Sequence, residues 1–298
     1  MKQYDSLVIG HITKDYNIDH EKNLTELCGG AVLFSSAAAF ALGHKTGAVT
    51  RLDKKDAERL DSFTLDKQDV YCSFCNGSTT MKNEYFTADK EKRNSTCITC
   101  AEPFSMADLP QDVEAKIYHF AGLLYGEFPN DMIIECSKKG EVALDVQACL
   151  RHRNPDDGSM FFEDWADKEK ILPYVTYLKT DAAEAEIMTG TADREKAAKI
   201  LWNMGVKEVL ITHNTEVLVY DGERIYTCPI RARNLSGRTG RGDTTFASYI
   251  NERLNCPIEK ALLKSTATVS LKMETPGPLH ATVQDIDEYI NEFYSDFV

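Results

Sequence analysis

The sequence predicts an α/β fold in which a mainly parallel sheet is covered by helices on both faces. The main observation is that apolar runs of strand length alternate with segments of helical spacing along most of the chain. The length of 298 residues is enough to bury a large core. A hydrophobic fraction of 43% with 27% charged residues is typical of a globular protein. We expect a single domain over residues 1–298.

The strands and helices can be assigned in order along the chain. Apolar runs predict strands at Ser6–Ile9, Gly47–Thr50, Ile117–Gly122, Val142–Val146, Val175–Leu178 and Val209–Thr212. Helical spacing predicts helices near 31–42, 129–139, 181–189, 192–205, 241–254, 257–273 and 283–296. Ligands of such sheets bind beyond the carboxyl ends of the strands, so functional residues are expected there.

Two segments break the alternation. Residues 11–28 are polar and non-helical, and residues 70–101 alternate polar and apolar residues as a strand does. We predict that both belong to a small β appendage that projects from the main sheet. Long insertions in compact domains usually serve a function.

The charge balance narrows the choice of partners. The net charge of −13 and the lack of a basic stripe both argue against a nucleic-acid partner. No apolar run approaches the roughly 18 residues of a membrane span, and the N-terminus lacks a signal-peptide pattern. We therefore expect a cytoplasmic protein that binds neither nucleic acid nor membrane.

The most informative segment is a glycine-rich loop, Ser236–Phe246, with the sequence SGRTGRGDTTF. Phe246, Tyr249 and Ile250 begin an apolar helix face, so the glycines lie where a loop becomes a helix. The first N–H groups of a helix and the positive end of its dipole attract anions. Asp243 falls in the first turn, beside this anion site, where it can accept a proton from an attacking hydroxyl. The pattern favours phosphoryl transfer, although an aspartate at this position also occurs simply as a cap.

The same segment resembles a known signature. The motif D-T-x-G-A-G-D of the PfkB (ribokinase-like) carbohydrate kinases is matched at four positions, Thr239, Gly240, Gly242 and Asp243. The resemblance extends over nearly the whole chain. It implies a ribokinase-like three-layer sandwich with a small β lid. It also implies an ATP-dependent kinase that transfers the γ-phosphoryl group to a hydroxyl of a sugar or cyclitol.

Two positions of the signature differ from the family pattern. Gly237 stands where the family usually has Asp, and Arg241 stands where it usually has Ala. The base and the anion hole are retained, so we expect Asp243, Gly240, Arg241 and Gly242 to form the catalytic set. Arg238 and Thr239 are expected beside the phosphates of the cofactor.

On the acceptor side, the resemblance assigns three positions to the substrate. Asp15, after the first strand, is the aspartate that binds sugar hydroxyls in such kinases. Gly29 and Gly30 resemble the N-terminal Gly-Gly signature, where glycine lets a hydroxylated ligand lie against the backbone. Phe34 and Ser35 replace the usual asparagine nearby. The appendage of 11–28 and 70–101 would act as a lid that excludes water, and as the surface of a homodimer.

Other candidates lie at strand ends further along the chain. Asp145 and Arg151 follow a strand at the expected ligand edge and are candidates for substrate or phosphate contact. Asp181 and Glu184 resemble the N-x-x-E motif, which implies that Glu184 organises Mg²⁺ through water.

The nucleotide side is implied by the resemblance as well. Thr212 and Asn214 are expected to contact ATP, although the usual glycines are missing from residues 212–220. Residues 270–278 lie where related kinases wall the adenine pocket. The resemblance also leaves room for a monovalent cation as a further cofactor.

Nine cysteines allow an alternative. Cys72, Cys75, Cys97 and Cys100 form two C-x-x-C pairs with 21 residues between them, which is close to zinc-ribbon spacing. The competing function is therefore a catalytically weak ligand-binding or zinc-stabilised regulatory protein on the same scaffold. The intact Gly240–Asp243 set favours the kinase, because a binding protein needs no such aspartate. The segments around Gly29 and Asp243 resemble a branch of the family with inositol-kinase-like members.

Overall fold

The structure is a computed structural model that describes residues 1–87 and 93–297. Residues 88–92, within the predicted lid, lie outside the described residues. The strands are β1 Lys2–Ile9, β2 Thr13–Ile18, β3 Leu24–Gly29, β4 Thr46–Leu52, β5 Val70–Phe74, β6 Thr80–Tyr85, β7 Arg93–Thr99, β8 Val113–Phe120, β9 Glu141–Asp145, β10 Arg151–Arg153, β11 Met160–Phe162, β12 Tyr177–Asp181, β13 Glu208–Thr212, β14 Glu216–Tyr220 and β15 Ile225–Pro229.

Helices connect most of these strands. The α-helices are α1 Ala31–Ala41, α2 Asn130–Ser137, α3 Gln147–Leu150, α4 Lys168–Ile171, α5 Ala182–Thr189, α6 Arg194–Asn203, α7 Arg241–Arg253, α8 Ile258–Lys272 and α9 Val283–Phe293. Short 3₁₀ segments occur at Lys54–Ser62, Lys67–Asp69, Met106–Asp108 and Leu172–Tyr174. Every strand and helix expected from the sequence overlaps one of these elements. No helix among the described residues is long and apolar enough to cross a membrane.

The main sheet has nine strands in the order β15-β14-β13-β12-β9-β8-β1-β4-β5. The strands from β13 to β5 pair in parallel, and their carboxyl ends share one edge of the sheet. That edge carries Asp145 at the end of β9 and Thr212 at the end of β13. The predicted α/β class with a mainly parallel sheet is therefore confirmed.

Helices cover both faces of the sheet. Successive residues of a strand point to opposite faces and are therefore buried in different cores. Leu144 and Ile211 belong to one core, which includes residues of α2, α5 and α6. Their chain neighbours Ala143 and Leu210 belong to the other core, with Phe246 of α7 and residues of α8 and α9. The structure thus has the predicted three layers.

The lid is a separate four-stranded sheet in the order β3-β2-β6-β7. The first predicted lid segment, 11–28, contributes β2 and β3. The second predicted lid segment, 70–101, begins too early. β5 pairs in parallel with β4 at the edge of the main sheet, and only β6 and β7 of this segment enter the lid. Which sheet a strand joins depends on its pairing partner, here β4, and the sequence of β5 does not identify that partner.

One feature of the main sheet was not predicted. The strands β14 and β15 form an antiparallel hairpin against β13. Its turn contains Asp221 and Gly222, and Gly222 has a positive φ of 97°. Asp221 Oδ1 accepts hydrogen bonds of 2.9 Å from the N–H groups of Glu223 and Arg224. An Asp-Gly pair between apolar runs is a hairpin signal that the sequence does contain.

Candidate active site

The glycine-rich loop runs into α7 as the sequence predicts. Gly240 is the N-cap and has a left-handed φ of 82°, a conformation that glycine adopts without strain. A β-carbon at this position would lie 2.3 Å from the Phe34 ring. The N–H of Arg241 donates to the carbonyl of Arg238 at 3.2 Å, so this amide is already used within the loop. The amides of Gly242 and Asp243 follow it at the positive end of the helix.

Asp243 lies in the first turn of α7 with its side chain partly buried. Burial and the neighbouring Asp145 carboxylate raise the pKa of Asp243 to about 6. Lys179, Lys272 and Arg151 oppose this shift. A carboxylate with a pKa near 6 is ionised at neutral pH and is more basic than an ordinary aspartate. This arrangement suits a general base.

A buried lysine lies beside the loop. The Nζ atom of Lys179 is 3.0 Å from Asp145 Oδ2 and 3.7 Å from Glu184 Oε2. Burial disfavours its charge, but the two carboxylates raise the pKa of Lys179 above its ordinary value. A β-carbon at Gly242 would lie 3.2 Å from the same Nζ atom. Lys179 therefore places a fixed positive charge against the first turn of α7.

Asp181 and Glu184 form a capping box at the start of α5. Asp181 Oδ1 accepts from the Glu184 N–H, and Glu184 Oε2 accepts from the Asp181 N–H, both at 2.8 Å. Burial raises the pKa of Glu184, and Lys179 opposes that rise. One oxygen of Glu184 is thus used by the helix start, which fits contact with Mg²⁺ through water better than direct ligation.

The acceptor side is built where the lid meets the main sheet. Thr13 of β2 pairs with Gly29 of β3, and the Thr13 hydroxyl donates to Asp15 at 2.6 Å. A β-carbon at Gly29 would lie 2.4 Å from Asp15 Oδ2, so glycine makes room for this carboxylate. Burial raises the pKa of Asp15, while the Thr13 hydroxyl and the positive charges of Arg93 and Arg151 oppose the rise. Gly30 follows as the N-cap of α1.

Arg151 connects the two sides. It is buried, and its Nε atom donates to the carbonyl of Leu123 at 2.8 Å. Burial and Arg93 lower the pKa of Arg151, while Glu184 and Asp145 raise it. The same guanidinium acts electrostatically on Asp15 and on Asp243. The predicted residues of the acceptor side and of the catalytic loop therefore lie within one electrostatic cluster.

The lid also contributes a polar network that the sequence did not reveal. Asn83 of β6 is buried; its amide donates to Asn17 Oδ1 at 3.0 Å and its carbonyl accepts from the Ser95 hydroxyl at 2.7 Å. Asn17 pairs with Asn83, and Asp15 pairs with Met81 two residues earlier along the same strands. Amides and hydroxyls thus continue along the lid from Asp15.

The donor side is assembled from three elements. Thr212 is buried at the end of β13 and pairs with Asp181 of β12. The Arg241 guanidinium donates to Asn214 Oδ1 at 2.9 Å, which joins α7 to the β13–β14 turn. Thr239, by contrast, is exposed in the loop. The structure therefore brings the predicted donor residues together around the start of α7.

Glu274, just after the end of α8, takes part in an ion pair. Arg233 bonds to Glu274, with Nε 2.8 Å from Oε1, and the Tyr289 hydroxyl donates to the same carboxylate at 2.8 Å. Glu274 lies in the segment that walls the adenine pocket in the resembling family, and here its carboxylate is bound to the protein itself.

The four paired cysteines fall on different sheets. Cys72 lies in β5 of the main sheet, whereas Cys97 lies in β7 of the lid. Cys75 and Cys100 follow these strands, and all four are free thiols. In residues 1–87 and 93–297, no three His, Cys, Asp or Glu side chains are placed to hold a metal ion. The structure therefore lends no support to the zinc alternative.

A cavity of about 390 Å³ lies beside this cluster, because Ala148 and Cys149, which line it, lie between Asp145 and Arg151 in the chain. Phe104, Phe128 and Trp165 are among its lining residues, and no residue predicted for the site lines it. We therefore assign the candidate active site from its chemistry and not from the size of this cavity.

Sequence reasoning missed two lysines at the site. Lys179 lies in the middle of the buried strand β12, and Lys272 ends α8 between Leu271 and Met273. Both are buried, at 5% and 0% exposure. A lysine inside an apolar run is a signal that could have drawn attention to them, since lysine is rarely buried without a partner.

Comparison with known proteins identifies the family of this chain. A pyrophosphate-dependent kinase in the ribokinase family, solved as a sulfate complex, is 33% identical in sequence to this chain. The two structures have a TM-score of 0.85, and the match covers 95% of this chain and 99% of that chain. A pyrophosphate-dependent kinase in the ribokinase family, complexed with a pyrophosphate analog and myo-inositol, is 33% identical, with a TM-score of 0.84 and the same coverage of 95% and 99%. The cytidine kinase of Thermococcus kodakarensis is 25% identical over 253 residues, which are 83% of this chain and 87% of that protein. Residues 3–284 match the pfkB family of carbohydrate kinases, and the chain belongs to that family.

Proposed function

We propose that this kinase phosphorylates a hydroxyl of an inositol-type cyclitol and that pyrophosphate is its preferred phosphoryl donor. The observation that carries the proposal is the position of Asp243. Its basic carboxylate lies in the first turn of α7, beside the buried cations Lys179 and Arg151. A base, an anion-binding helix end and fixed positive charge are the parts that phosphoryl transfer to an alcohol requires.

Asp243 accepts the proton of the acceptor hydroxyl as its oxygen attacks the terminal phosphorus. The bond from phosphorus to the bridging oxygen breaks, and the leaving phosphate carries the electron pair away. The amides of Gly242 and Asp243 stabilise the charge on the transferred group. Lys179 lies at the same turn and adds a charge that cannot reorient, because Asp145 and Glu184 hold it.

Mg²⁺ bound to the donor oxygens would neutralise part of the phosphate charge. Magnesium keeps several waters and needs few protein ligands. Glu184 is the residue that would hold it, through water, as the capping box leaves one of its oxygens for other contacts.

The donor proposal follows from the contacts of two residues. Pyrophosphate has no base or ribose, so its binding depends on positive charge and amides. Arg241, held by Asn214, brings a guanidinium to the donor side where the family usually has alanine. Glu274, on the adenine side, is bound to Arg233 and Tyr289. The two relatives at 33% identity described above are pyrophosphate-dependent. ATP, the donor expected from the sequence, is the alternative for the test to decide.

The acceptor proposal follows from the lid. Asp15, Asn17, Asn83 and Ser95 present a carboxylate, amides and a hydroxyl on adjacent strands. Such a surface offers hydrogen bonds to a ring with many hydroxyls and has no aromatic platform for a nucleobase among these side chains. One of the relatives at 33% identity was solved with myo-inositol. A homodimer through the lid stays a prediction.

The test is a matrix of two donors and three acceptors. We expect the highest kcat/KM with pyrophosphate and myo-inositol, and lower values with ATP, ribose or cytidine. Arg241→Ala should lower kcat/KM for pyrophosphate by roughly 10- to 100-fold, the value of a charge-assisted hydrogen bond. Arg224→Ala is the matched control, since this exposed arginine pairs with Glu259 far from the loop.

Each arm of the matrix can fail separately. Turnover with ATP and none with pyrophosphate would refute the donor assignment and leave the kinase assignment intact. Turnover with cytidine or ribose and none with myo-inositol would refute the acceptor assignment. Equal effects of the two arginine variants would show that Arg241 has no special role.

A further inference from the structure

Lys272 is a buried cation that the reaction scheme above does not use. It is the last residue of α8 and is 0% exposed. Its ammonium donates hydrogen bonds to the main-chain carbonyls of Gly237 and Thr239. Both carbonyls belong to the loop that precedes the base Asp243. Main-chain carbonyls that converge on one positive charge are the ligand set that proteins use for alkali cations.

The loop is fitted closely around this ammonium. The N–H of Gly237 donates to the Met273 carbonyl at 2.7 Å, so Gly237 is held on both its amide and its carbonyl. A β-carbon at Gly237 would lie 1.8 Å from the Thr275 carbonyl oxygen, which leaves no space for the aspartate usual in the family. The end of α8 and the loop therefore form one packed unit with the lysine inside it.

Phe34 completes the enclosure. The Lys272 Nζ atom lies 5.1 Å from the centre of the Phe34 ring, within the range of a cation–π contact. The same ring lies against Gly240, at the N-cap of α7. Burial lowers the pKa of Lys272 to about 8, and the nearby Asp243 carboxylate opposes the change. The ammonium is therefore linked by contact to the residues that set the position of the base.

These carbonyls do not fit the monovalent cation that the sequence left open, because the ammonium already occupies the space between them. We propose that Lys272 takes the place of a monovalent cation beneath the anion-binding loop and makes phosphoryl transfer by this protein independent of potassium. Lys272 is a positioning residue in this account: it holds the carbonyls of Gly237 and Thr239, and through them the start of α7.

The first experiment uses the wild-type protein. Turnover is measured in about 0.1 M potassium chloride and in choline chloride at the same ionic strength, so that screening is equal. We expect equal turnover in the two salts. Strong activation of the wild-type protein by potassium would overturn the proposal, and this result depends on no variant.

The second experiment removes the ammonium. Lys272→Ala should lower kcat by about 100-fold, as does loss of one preorganised electrostatic group. Potassium or ammonium ions should restore part of the lost turnover, and choline should restore none. Lys260→Met, which removes an exposed lysine of the same helix, is the control and should behave as wild type. Wild-type turnover of Lys272→Ala in choline, or a folded variant that no small cation rescues, would contradict the inference.

The inference rests on the proposed function only for its turnover readout. Turnover is therefore followed with both pyrophosphate and ATP, so a wrong donor does not end the test. The rise in melting temperature caused by inorganic phosphate provides a readout without catalysis. We expect this rise to be the same in potassium and choline for the wild-type protein. For Lys272→Ala it should be larger in potassium than in choline, and an equal rise in both salts would contradict the proposal.

Discussion

Replacement of Asp243 by asparagine should separate activity from stability. The side chain keeps its size, but the amide cannot accept the proton of the acceptor hydroxyl. General-base catalysis contributes about 10²- to 10⁴-fold, and we expect kcat to fall by a factor in that range. Binding of the donor should be retained, because the amides of the helix start do not change. Isothermal titration with pyrophosphate and steady-state turnover measure the two quantities.

The same change should make the fold more stable at high pH. The pKa of Asp243 is raised from 3.8 to about 6, chiefly by burial and by Asp145. Two units correspond to about 3 kcal/mol, and partial exposure of the side chain reduces this to about 2 kcal/mol. Because the folded pKa is the higher one, the ionised carboxylate is the form that costs stability. The gain of Asp243→Asn is therefore complete above pH 6, falls to about half near pH 5 and disappears below about pH 4.

Urea unfolding of both proteins at pH 8 and pH 5 measures this difference in the free energy of unfolding. Wild-type turnover should also fall as the pH drops below about 6, since Asp243 becomes protonated. The reasoning is refuted if Asp243→Asn turns over as fast as wild type. It is also refuted if the variant is less stable than wild type at pH 8, because the carboxylate would then be favourably placed.

Three further changes test other parts of the site. Gly240→Ala should lower stability by about 1–3 kcal/mol, since alanine is strained at a φ of 82° and meets the Phe34 ring, and thermal unfolding measures the loss. Lys179→Met should lower the free energy of unfolding by about 3–5 kcal/mol, because Asp145 and Glu184 lose their buried partner. An unchanged melting temperature would argue against the ion pairs. Asp15→Asn should raise KM for the acceptor while KM for the donor is unchanged, and equal shifts in both constants would remove Asp15 from the acceptor side.

The fold could be predicted because its pattern is local. Strands buried on both faces are short apolar runs, and the helices between them have one apolar side. The main sheet around β1, β8, β9 and β12 follows from that alternation. The hairpin β14–β15 was missed because its strands continue an apolar region, although Asp221 and Gly222 mark the turn. The start of the second lid segment was misplaced because the sequence of β5 does not show that it pairs with β4 and not with a lid strand.

The site was predictable where a motif supplied the residues. Asp243 and the loop before it carry their own signal, as glycines precede an amphipathic helix. Lys179 and Lys272 carry none of comparable strength, because each has a partner distant in the sequence, Asp145 for Lys179 and Gly237 for Lys272. Lys272 lies 35 residues from Gly237, whose carbonyl it binds. The assignment of Arg233 to an ion pair with Glu274 likewise needed the structure.

Phosphorus NMR of one reaction mixture tests the central claim most directly. Wild-type protein is incubated with Mg²⁺, pyrophosphate and myo-inositol, and the products are identified by their signals. We expect one phosphate monoester and one orthophosphate for each pyrophosphate consumed, and no monoester with Asp243→Asn over the same time. Orthophosphate without monoester would show hydrolysis and not transfer, and would contradict the proposed role of a carboxylate aimed at an alcohol.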